Sequence, residues 1–145
     1  MKLIITGGCG FIGHHFVEHL HKNTDWEIII FDKLSYASNG FERLRDTETL
    51  LDNRVKVFTN DLINPIPDGI KKEIGNDVDY IVHMAAETHV DNSIMEPKTF
   101  LDNNIGSTYN MLEYARELPN LKQFFYFSTD EVFGSLGREG RFSET

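Results

Sequence analysis

The sequence predicts an α/β fold with a doubly wound parallel sheet, and three observations carry this prediction. Short runs rich in Ile, Val and Phe alternate with segments of helical periodicity, which is the order found in parallel sheets. A glycine-rich turn joins the first run to the first helical segment. Polar and acidic residues directly follow several runs, where the strands of a parallel sheet end together at one edge.

The first strand and helix are predicted on either side of a glycine-rich turn. Residues 3–5 form an apolar run that is short and β-branched enough to be a buried strand. Gly7, Gly10 and Gly13 follow, and Gly8 completes a G-x-G-x-x-G spacing with the last two. Apolar residues then recur at helical spacing: Phe11, Ile12, Phe16, Val17 and Leu20. Between a strand and a helix, this spacing predicts a dinucleotide site, with the phosphates at the helix N-terminus.

The remaining elements complete a Rossmann-type pattern. Further strands are predicted at residues 27–31, 54–58, 79–84 and 123–127. Further helices are predicted at residues 41–51, 65–75 and 98–118. The longest helix places four apolar residues on one face: Leu101, Ile105, Leu112 and Ala115. The aromatic run at residues 124–127 is interpreted as core. The whole chain, residues 1–145, is therefore predicted to be one Rossmann-type domain whose doubly wound sheet is truncated after the fifth strand.

Asp32 bears on the choice of dinucleotide. It follows the second predicted strand, close to the spacing of about 20 residues at which such sites place an acid on the adenosine ribose. A carboxylate there accepts from the 2′-OH and repels a 2′-phosphate, so NAD is favoured over NADP. Lys33 is adjacent and would weaken this preference. The small residues Ala85 and Ala86 end the fourth predicted strand and suit a position under a cofactor ring.

Composition narrows the function classes. The chain has 145 residues, 40% hydrophobic and 26% charged, with a net charge of −9, which argues against nucleic acid as a partner. A single cysteine, Cys9, fits a reducing compartment and is interpreted as a small filler of the glycine turn. The N-terminus does not resemble a signal peptide and no apolar run approaches about 18 residues, so a cytoplasmic protein without a membrane partner is expected. His15, Glu18 and His19 match a zinc pattern, but no third ligand is evident and no metal site is expected.

Four segments resemble a known family. They are TGGCGFIG at residues 6–13, FDKLSYASN at 31–39, HMAAETHVDNSI at 83–94 and FSTDEVFG at 127–134. The chain resembles the extended short-chain dehydrogenases/reductases, in the branch of NAD-dependent nucleotide-sugar epimerases and dehydratases. The triplet Thr129, Asp130 and Glu131 narrows the resemblance to the 4,6-dehydratases, because the epimerases usually lack the acidic pair.

The resemblance implies NAD as cofactor and a nucleotide-diphosphate hexose as substrate. It implies cofactor contacts at Gly7, Gly10, Phe11, Ile12, Gly13, Asp32, Lys33, Leu34, Ser35, Asp61, Leu62, Met84, Ala85, Ala86, Thr88 and Asn103. Within this set, Phe11 and Ile12 would lie at the pyrophosphate, and Asp61 with Leu62 at the adenine. Glu87 and Thr129 would contact the substrate. Ser107 stands where relatives usually carry glycine.

The same resemblance assigns the catalytic roles. Thr129, Asp130 and Glu131 would be catalytic, with Asp130 the general acid and Glu131 the general base. Oxidation of the sugar at C4 acidifies the C5 proton, which Glu131 removes, while Asp130 protonates the departing C6 hydroxyl. Like-charge repulsion in a partly dry cleft is expected to separate the pKa values of the two carboxyls.

The family's Tyr-x-x-x-Lys motif does not occur in the chain, since none of the five tyrosines has a lysine four residues later. The motif is expected after Thr145, and the sugar-nucleotide-binding C-terminal domain is absent, so the chain alone is expected to be inactive. The family also implies a homodimer for the complete enzyme. Two alternatives remain open: a sugar-nucleotide 4-epimerase and a non-catalytic NAD-binding module.

Overall fold

A computed structural model of the protein describes residues 1–144 and shows five parallel strands in one sheet. The strands are β1 (Lys2–Thr6), β2 (Glu27–Asp32), β3 (Val55–Thr59), β4 (Tyr80–His83) and β5 (Gln123–Tyr126). Their order is β3-β2-β1-β4-β5, and every neighbouring pair is parallel. The predicted fold class is confirmed. The order of strands reverses between β1 and β4, and ligands of such sheets bind beyond the carboxyl ends of the strands at that point.

The described residues form six α-helices, and four of them (the first, second, third and sixth) contribute buried residues to the core on the two faces of the sheet. The six helices are α1 (Gly13–Asn23), α2 (Glu42–Asp46), α3 (Asp68–Ile74), α4 (Val90–Met95), α5 (Pro97–Leu101) and α6 (Ser107–Glu117). A π-helical segment (Asp102–Gly106) joins α5 to α6, and a 3-10 helix (Asp130–Phe133) follows β5. Among the described residues, no helix is both long and apolar enough to cross a membrane.

The core lies on both faces of the central strands. On β1, Ile4 packs in one cluster with α3 and α6 residues, whereas Leu3 and Ile5 pack in the other with α1 residues. On β2, Ile29 and Ile30 divide between the two clusters in the same way. Burial on both faces explains why these strands are continuous apolar runs rather than alternating ones.

Two predicted helices differ from those observed, and one observed helix was not predicted. The helix predicted at residues 41–51 ends as α2 at Asp46, because the hydroxyls of Thr47 and Thr49 bond to backbone carbonyls and Glu48 has a φ of +58°. Helix α4 was not predicted. The helix predicted at residues 98–118 begins at Pro97 and is interrupted by the π-helical segment. On its predicted apolar face, three residues are exposed: Leu101, Ile105 and Leu112.

The interpretation of the β5 aromatic run as core is wrong for most of its residues. Phe124 packs against the core, but Phe125 is 42% exposed and both Tyr126 and Phe127 are 53% exposed. Within residues 1–144, β5 pairs only with β4 and forms an edge of the sheet. Periodicity does not distinguish a covered central strand from an edge strand, so only the topology could show this.

Candidate functional site

A cleft of about 300 Å³ lies at the carboxyl ends of the strands. Of the residues expected to contact the cofactor, all but Leu34 line it: Gly7, Gly10, Phe11, Ile12, Gly13, Asp32, Lys33, Ser35, Asp61, Leu62, Met84, Ala85, Ala86, Thr88 and Asn103. Glu87, expected at the substrate, lies on the same wall. The cleft is therefore formed by segments that are far apart in sequence, and its size is within the range of small-ligand sites.

The glycine turn brings the start of α1 against the end of β1. Gly7 has a φ of +71°, and its N–H donates to the carbonyl of Phe31 at 2.8 Å. A Cβ on Gly13 would lie 2.1 Å from the Gly7 oxygen, so no larger residue fits there. No side chain caps the N-terminus of α1, where Ile12 is the capping residue. Ile12 and Gly13 at this end of α1 line the cleft, and the positive end of the helix dipole there suits a phosphate.

Asp32 is held from two sides. It is only 8% exposed, and its carboxylate accepts from the Cys9 N–H at 2.9 Å and from the Leu34 N–H at 2.8 Å. Leu34 has a φ of +56°, a backbone conformation that non-glycine residues rarely adopt. Leu34 does not line the cleft, but its backbone N–H holds the Asp32 carboxylate, and Asp32 lines the cleft. A carboxylate accepts about four hydrogen bonds, so Asp32 retains capacity for ribose hydroxyls.

Lys33 is paired rather than free. Its ammonium lies 2.7 Å from a Glu87 carboxylate oxygen and 2.7 Å from the Asn103 side-chain oxygen. Glu87 is itself fixed, because Asn104 bonds both its backbone N–H (2.7 Å) and its carbonyl (2.9 Å). This pairing reduces the positive charge available to a 2′-phosphate, and it removes part of the reason to expect Lys33 to favour NADP.

A chain of hydrogen bonds joins the ends of β1 and β4 under the cleft. The Thr6 hydroxyl oxygen accepts from the N–H groups of Met84 (3.0 Å) and Ala85 (2.9 Å), which leaves its own O–H to donate to His83 Nδ1 at 2.7 Å. The His83 Nε2–H therefore donates to the Thr108 hydroxyl at 3.1 Å. Burial lowers the pKa of His83 to about 4, so the ring is neutral near pH 7.

His83 is the last residue of β4 and is fully buried. Its role in ordering the cleft floor was not predicted. This role depends on the register of the sheet, which places Thr6 directly opposite His83 across β1 and β4. Register is a property of the sheet and not of either strand alone.

The triplet that is expected to be catalytic lies beside the cleft rather than in its wall. Ser128 lines the cleft, whereas Thr129, Asp130 and Glu131 do not and are exposed. Thr129 caps the 3-10 helix by accepting from the Glu131 N–H at 3.4 Å. The partly dry surroundings expected for the two acids are not found within residues 1–144. Desolvation requires other elements to cover a carboxylate, and none of the described ones covers this pair.

The histidines and the cysteine of the first βα unit have structural partners. His14 is 8% exposed and hydrogen-bonds to the Gly10 carbonyl at 2.9 Å. His21 lies 2.7 Å from Asp52 and lowers the pKa of that carboxyl. Burial raises the pKa of the Cys9 thiol to about 12, which agrees with a filler residue. Within residues 1–144, no three His, Cys, Asp or Glu side chains are placed to hold a metal ion.

The cleft also contains polar residues that the sequence did not single out for it. Ser38, Asn60, Ser107 and Ser128 line the wall. The side-chain Nδ2 of Asn60 and the Oγ of Ser107 are buried and have no hydrogen-bond partner among the described residues. Buried polar groups are almost always paired, so these two atoms are exceptions among the described residues. The departure of Ser107 from glycine was the one signal in the sequence.

Comparison with known proteins assigns the family. Residues 4–145 match the family model described as GDP-mannose 4,6 dehydratase. The chain belongs to this family. The chain is also similar to dTDP-glucose 4,6-dehydratase 1 of Escherichia coli K12, with which it is 39% identical over 144 residues. That match covers 94% of the chain but 39% of the relative, so the chain spans about two fifths of its length.

Solved structures agree with the family assignment. The dTDP-glucose 4,6-dehydratase of Streptomyces venezuelae, crystallised with NAD bound, is 34% identical with a TM-score of 0.84, covering 97% of the chain and 43% of the neighbour. A UDP-N-acetylglucosamine 4-epimerase from Methanobrevibacter ruminantium is 26% identical with a TM-score of 0.79, covering 99% and 42%. The resemblance to NAD-dependent epimerases and dehydratases is confirmed. A solved dehydratase and a solved epimerase therefore both share the fold of this chain.

Proposed function

We propose that this chain is the NAD-binding part of a nucleotide-sugar 4,6-dehydratase that converts dTDP-glucose to dTDP-4-keto-6-deoxyglucose. The observation that carries the proposal is that three features lie together in one cleft. They are a glycine turn with no room for a Cβ at Gly13, an uncapped helix N-terminus, and the buried carboxylate of Asp32. These features fit the pyrophosphate and adenosine ribose of NAD.

The reaction is a dehydration without net oxidation. NAD held by the glycine turn and Asp32 would supply the hydride acceptor for sugar C4 and the hydride donor for C6. Glu131 removes the C5 proton that the C4 ketone has acidified, and Asp130 protonates the leaving C6 hydroxyl, which departs as water. When C6 takes up the hydride, Glu131 returns a proton to C5. Ser128 lines the cleft, and Asp130 and Glu131 follow it after one intervening residue, so a sugar at the cleft mouth would lie near both carboxyls.

The rest of the site is expected from residues outside this chain, which spans about two fifths of its relatives. A tyrosine of the Tyr-x-x-x-Lys type would deprotonate the C4 hydroxyl, and a C-terminal domain would bind the sugar nucleotide. Asp130 and Glu131 are exposed among the described residues. That domain would cover the two carboxyls and exclude water from them. We expect residues 1–145 alone to bind NAD without dehydrating sugar.

The experiment is turnover of dTDP-glucose by the natural full-length protein in deuterium oxide. A dehydratase gives the 4-keto-6-deoxy product with deuterium at C5. The Glu131→Gln variant should retain NAD binding and lose C5 exchange, because the amide is not a base. Formation of the C4 epimer without C5 exchange would instead support a 4-epimerase. NAD binding without any turnover would support a non-catalytic module.

We also propose a homodimer built on the α5–α6 surface. Four apolar side chains on these helices and the π-helical segment are exposed: Leu101, Ile105, Tyr109 and Leu112. Exposed apolar faces of this kind mark protein–protein contacts. Light scattering of the full-length protein should give a dimer, and Ile105→Glu should shift it to a monomer. A monomeric wild type would contradict the assignment.

We also propose a cytoplasmic location, because the chain has a single, buried cysteine, as is usual in a reducing compartment. Cell fractionation tests this proposal.

A further inference from the structure

One arginine outside the cleft joins two segments that form its wall. Arg43 lies on α2, and its guanidinium donates to the carbonyl of Cys9 at 3.3 Å and to the carbonyl of Ala37. Cys9 belongs to the glycine turn, whereas Ala37 belongs to the loop between β2 and α2 (residues 33–41), called the β2–α2 loop below. Ala37 lines the cleft, as does Gly10, the residue after Cys9, but Arg43 does not. Arg43 therefore acts on the cleft through the segments that it joins.

Asp32 joins the same two segments through their N–H groups. Its carboxylate accepts from the N–H of Cys9 at 2.9 Å and from the N–H of Leu34, in the β2–α2 loop, at 2.8 Å. Arg43 complements this contact, because it binds the carbonyl groups of the turn and the loop. Cys9 is fully buried and is held at both its N–H and its carbonyl. The two side chains together fix how the glycine turn lies against the loop.

The middle of the β2–α2 loop is held mainly to itself and to α2. Within residues 1–144, the hydrogen bonds of residues 35–41 go to one another or to α2. Asn39 has a φ of +55°, a backbone conformation that is uncommon outside glycine, so the loop takes its shape at a cost. Three residues of this loop line the cleft: Ser35, Ala37 and Ser38. The position of this wall relative to the glycine turn therefore depends on Arg43.

We propose that Arg43 is a positioning residue that orders the β2–α2 loop against the glycine turn before the dinucleotide binds. This inference rests on the proposed function. A loop that must be ordered during binding reduces the affinity, because only the ordered fraction of the protein is competent to bind. Arg43 removes that cost through its bonds to the Cys9 and Ala37 carbonyls, without contacting the ligand. It therefore contributes to NAD affinity through the unliganded protein.

The test combines NAD binding with amide hydrogen exchange in the full-length protein. Arg43→Met keeps an apolar stem but removes every donor, so the Kd for NAD should rise by about 3- to 10-fold. Without ligand, the amides of residues 35–41 should exchange faster than in the wild type, and saturating NAD should remove most of this difference. Arg43→Lys still has a donor and should lie between the wild type and Arg43→Met in both measurements.

Arg45→Met is the matched control. It removes the same charge from the same helix, where Arg45 pairs with Glu42 on the surface, and should change neither measurement. Wild-type NAD affinity in Arg43→Met would overturn this inference and leave the proposed function standing. Weaker binding with unchanged exchange of residues 35–41, or equal weakening by Arg45→Met, would also overturn it, because Arg43 would then act by direct contact or by charge. Failure of the wild type to bind NAD would overturn the inference and the proposed function together.

Discussion

The hydroxyl of Thr6 donates a 2.7 Å hydrogen bond to Nδ1 of His83, and this pair fixes the floor of the cleft. The same oxygen accepts the N–H groups of Met84 and Ala85, which line the cleft. A single threonine side chain therefore satisfies two backbone donors and selects the tautomer of a buried histidine. The backbone where β4 ends depends on a residue at the end of β1.

Thr6→Val should test the importance of this pair. Valine keeps the shape but leaves two N–H groups and one ring nitrogen without a partner, so we expect a loss of about 2–4 kcal/mol in the free energy of unfolding. Thr6→Ser retains the hydroxyl and should lose much less. Urea unfolding of the full-length protein measures both. Equal losses in the two variants would show that the methyl group, and not the hydroxyl, matters.

His83 should make the protein sensitive to acid. Its pKa is about 4 in the folded protein and about 6.5 when unfolded, so below pH 6.5 the unfolded state binds the proton more readily. The contribution of this difference in the pKa of His83 to the free energy of unfolding is fully present above about pH 6.5. It is lost as the pH falls to about 4, and the total loss is about 3 kcal/mol. Unfolding free energies measured from pH 7 to 4.5 give this slope. His83→Asn should be less stable at pH 7 but have a shallower slope, and an identical slope would contradict the assignment.

Gly13→Ala should disrupt the glycine turn. The added Cβ would lie 2.1 Å from the Gly7 oxygen, so the turn or α1 must move. We expect a loss of about 3 kcal/mol in stability together with weaker NAD binding. Gly69→Ala is the control, because a Cβ there meets nothing within 4 Å and helix α3 should gain up to about 1 kcal/mol. Thermal unfolding measures the change in stability and NAD titration measures the change in affinity for both variants. A Gly13→Ala variant that matches Gly69→Ala in both measurements would contradict this prediction.

Glu87→Gln should narrow the preference for NAD over NADP. The change frees the Lys33 ammonium from its 2.7 Å ion pair, which makes its charge available to a 2′-phosphate. We expect the ratio of the two affinities to fall by up to about fivefold. Glu117→Gln breaks a comparable pair with Lys71 on the outside of α6 and should not change the ratio. A ratio unaffected by Glu87→Gln would mean that Asp32 alone sets the preference.

Cys9 should resist alkylation. Its thiol is buried, and a pKa of about 12 leaves little reactive thiolate at pH 8. Mass spectrometry after iodoacetamide treatment should show almost no labelling of Cys9 in the native protein and complete labelling in urea. Rapid native labelling would show that the glycine turn opens on the timescale of the reaction.

The position of the strands was predictable because their signal is local. The apolar runs of β1 and β2 are buried on both faces, and burial on both faces leaves a continuous pattern that the sequence displays directly. The glycine turn was predictable for the same reason, since the steric limit at Gly13 arises from residues only a few positions away. Asp32 could be placed because its distance along the chain from the turn is set by one βα unit.

The sequence by itself thus determined the α/β class, the glycine turn, Asp32 and most of the residues that line the cleft. Tertiary structure alone decided the exposed edge at β5, the Thr6–His83 pair, the pairing of Lys33 with Glu87, and the unpaired groups of Asn60 and Ser107. Each of the latter depends on which segments meet across the sheet. Burial and hydrogen-bond satisfaction are properties of neighbours in space, and no local pattern records them.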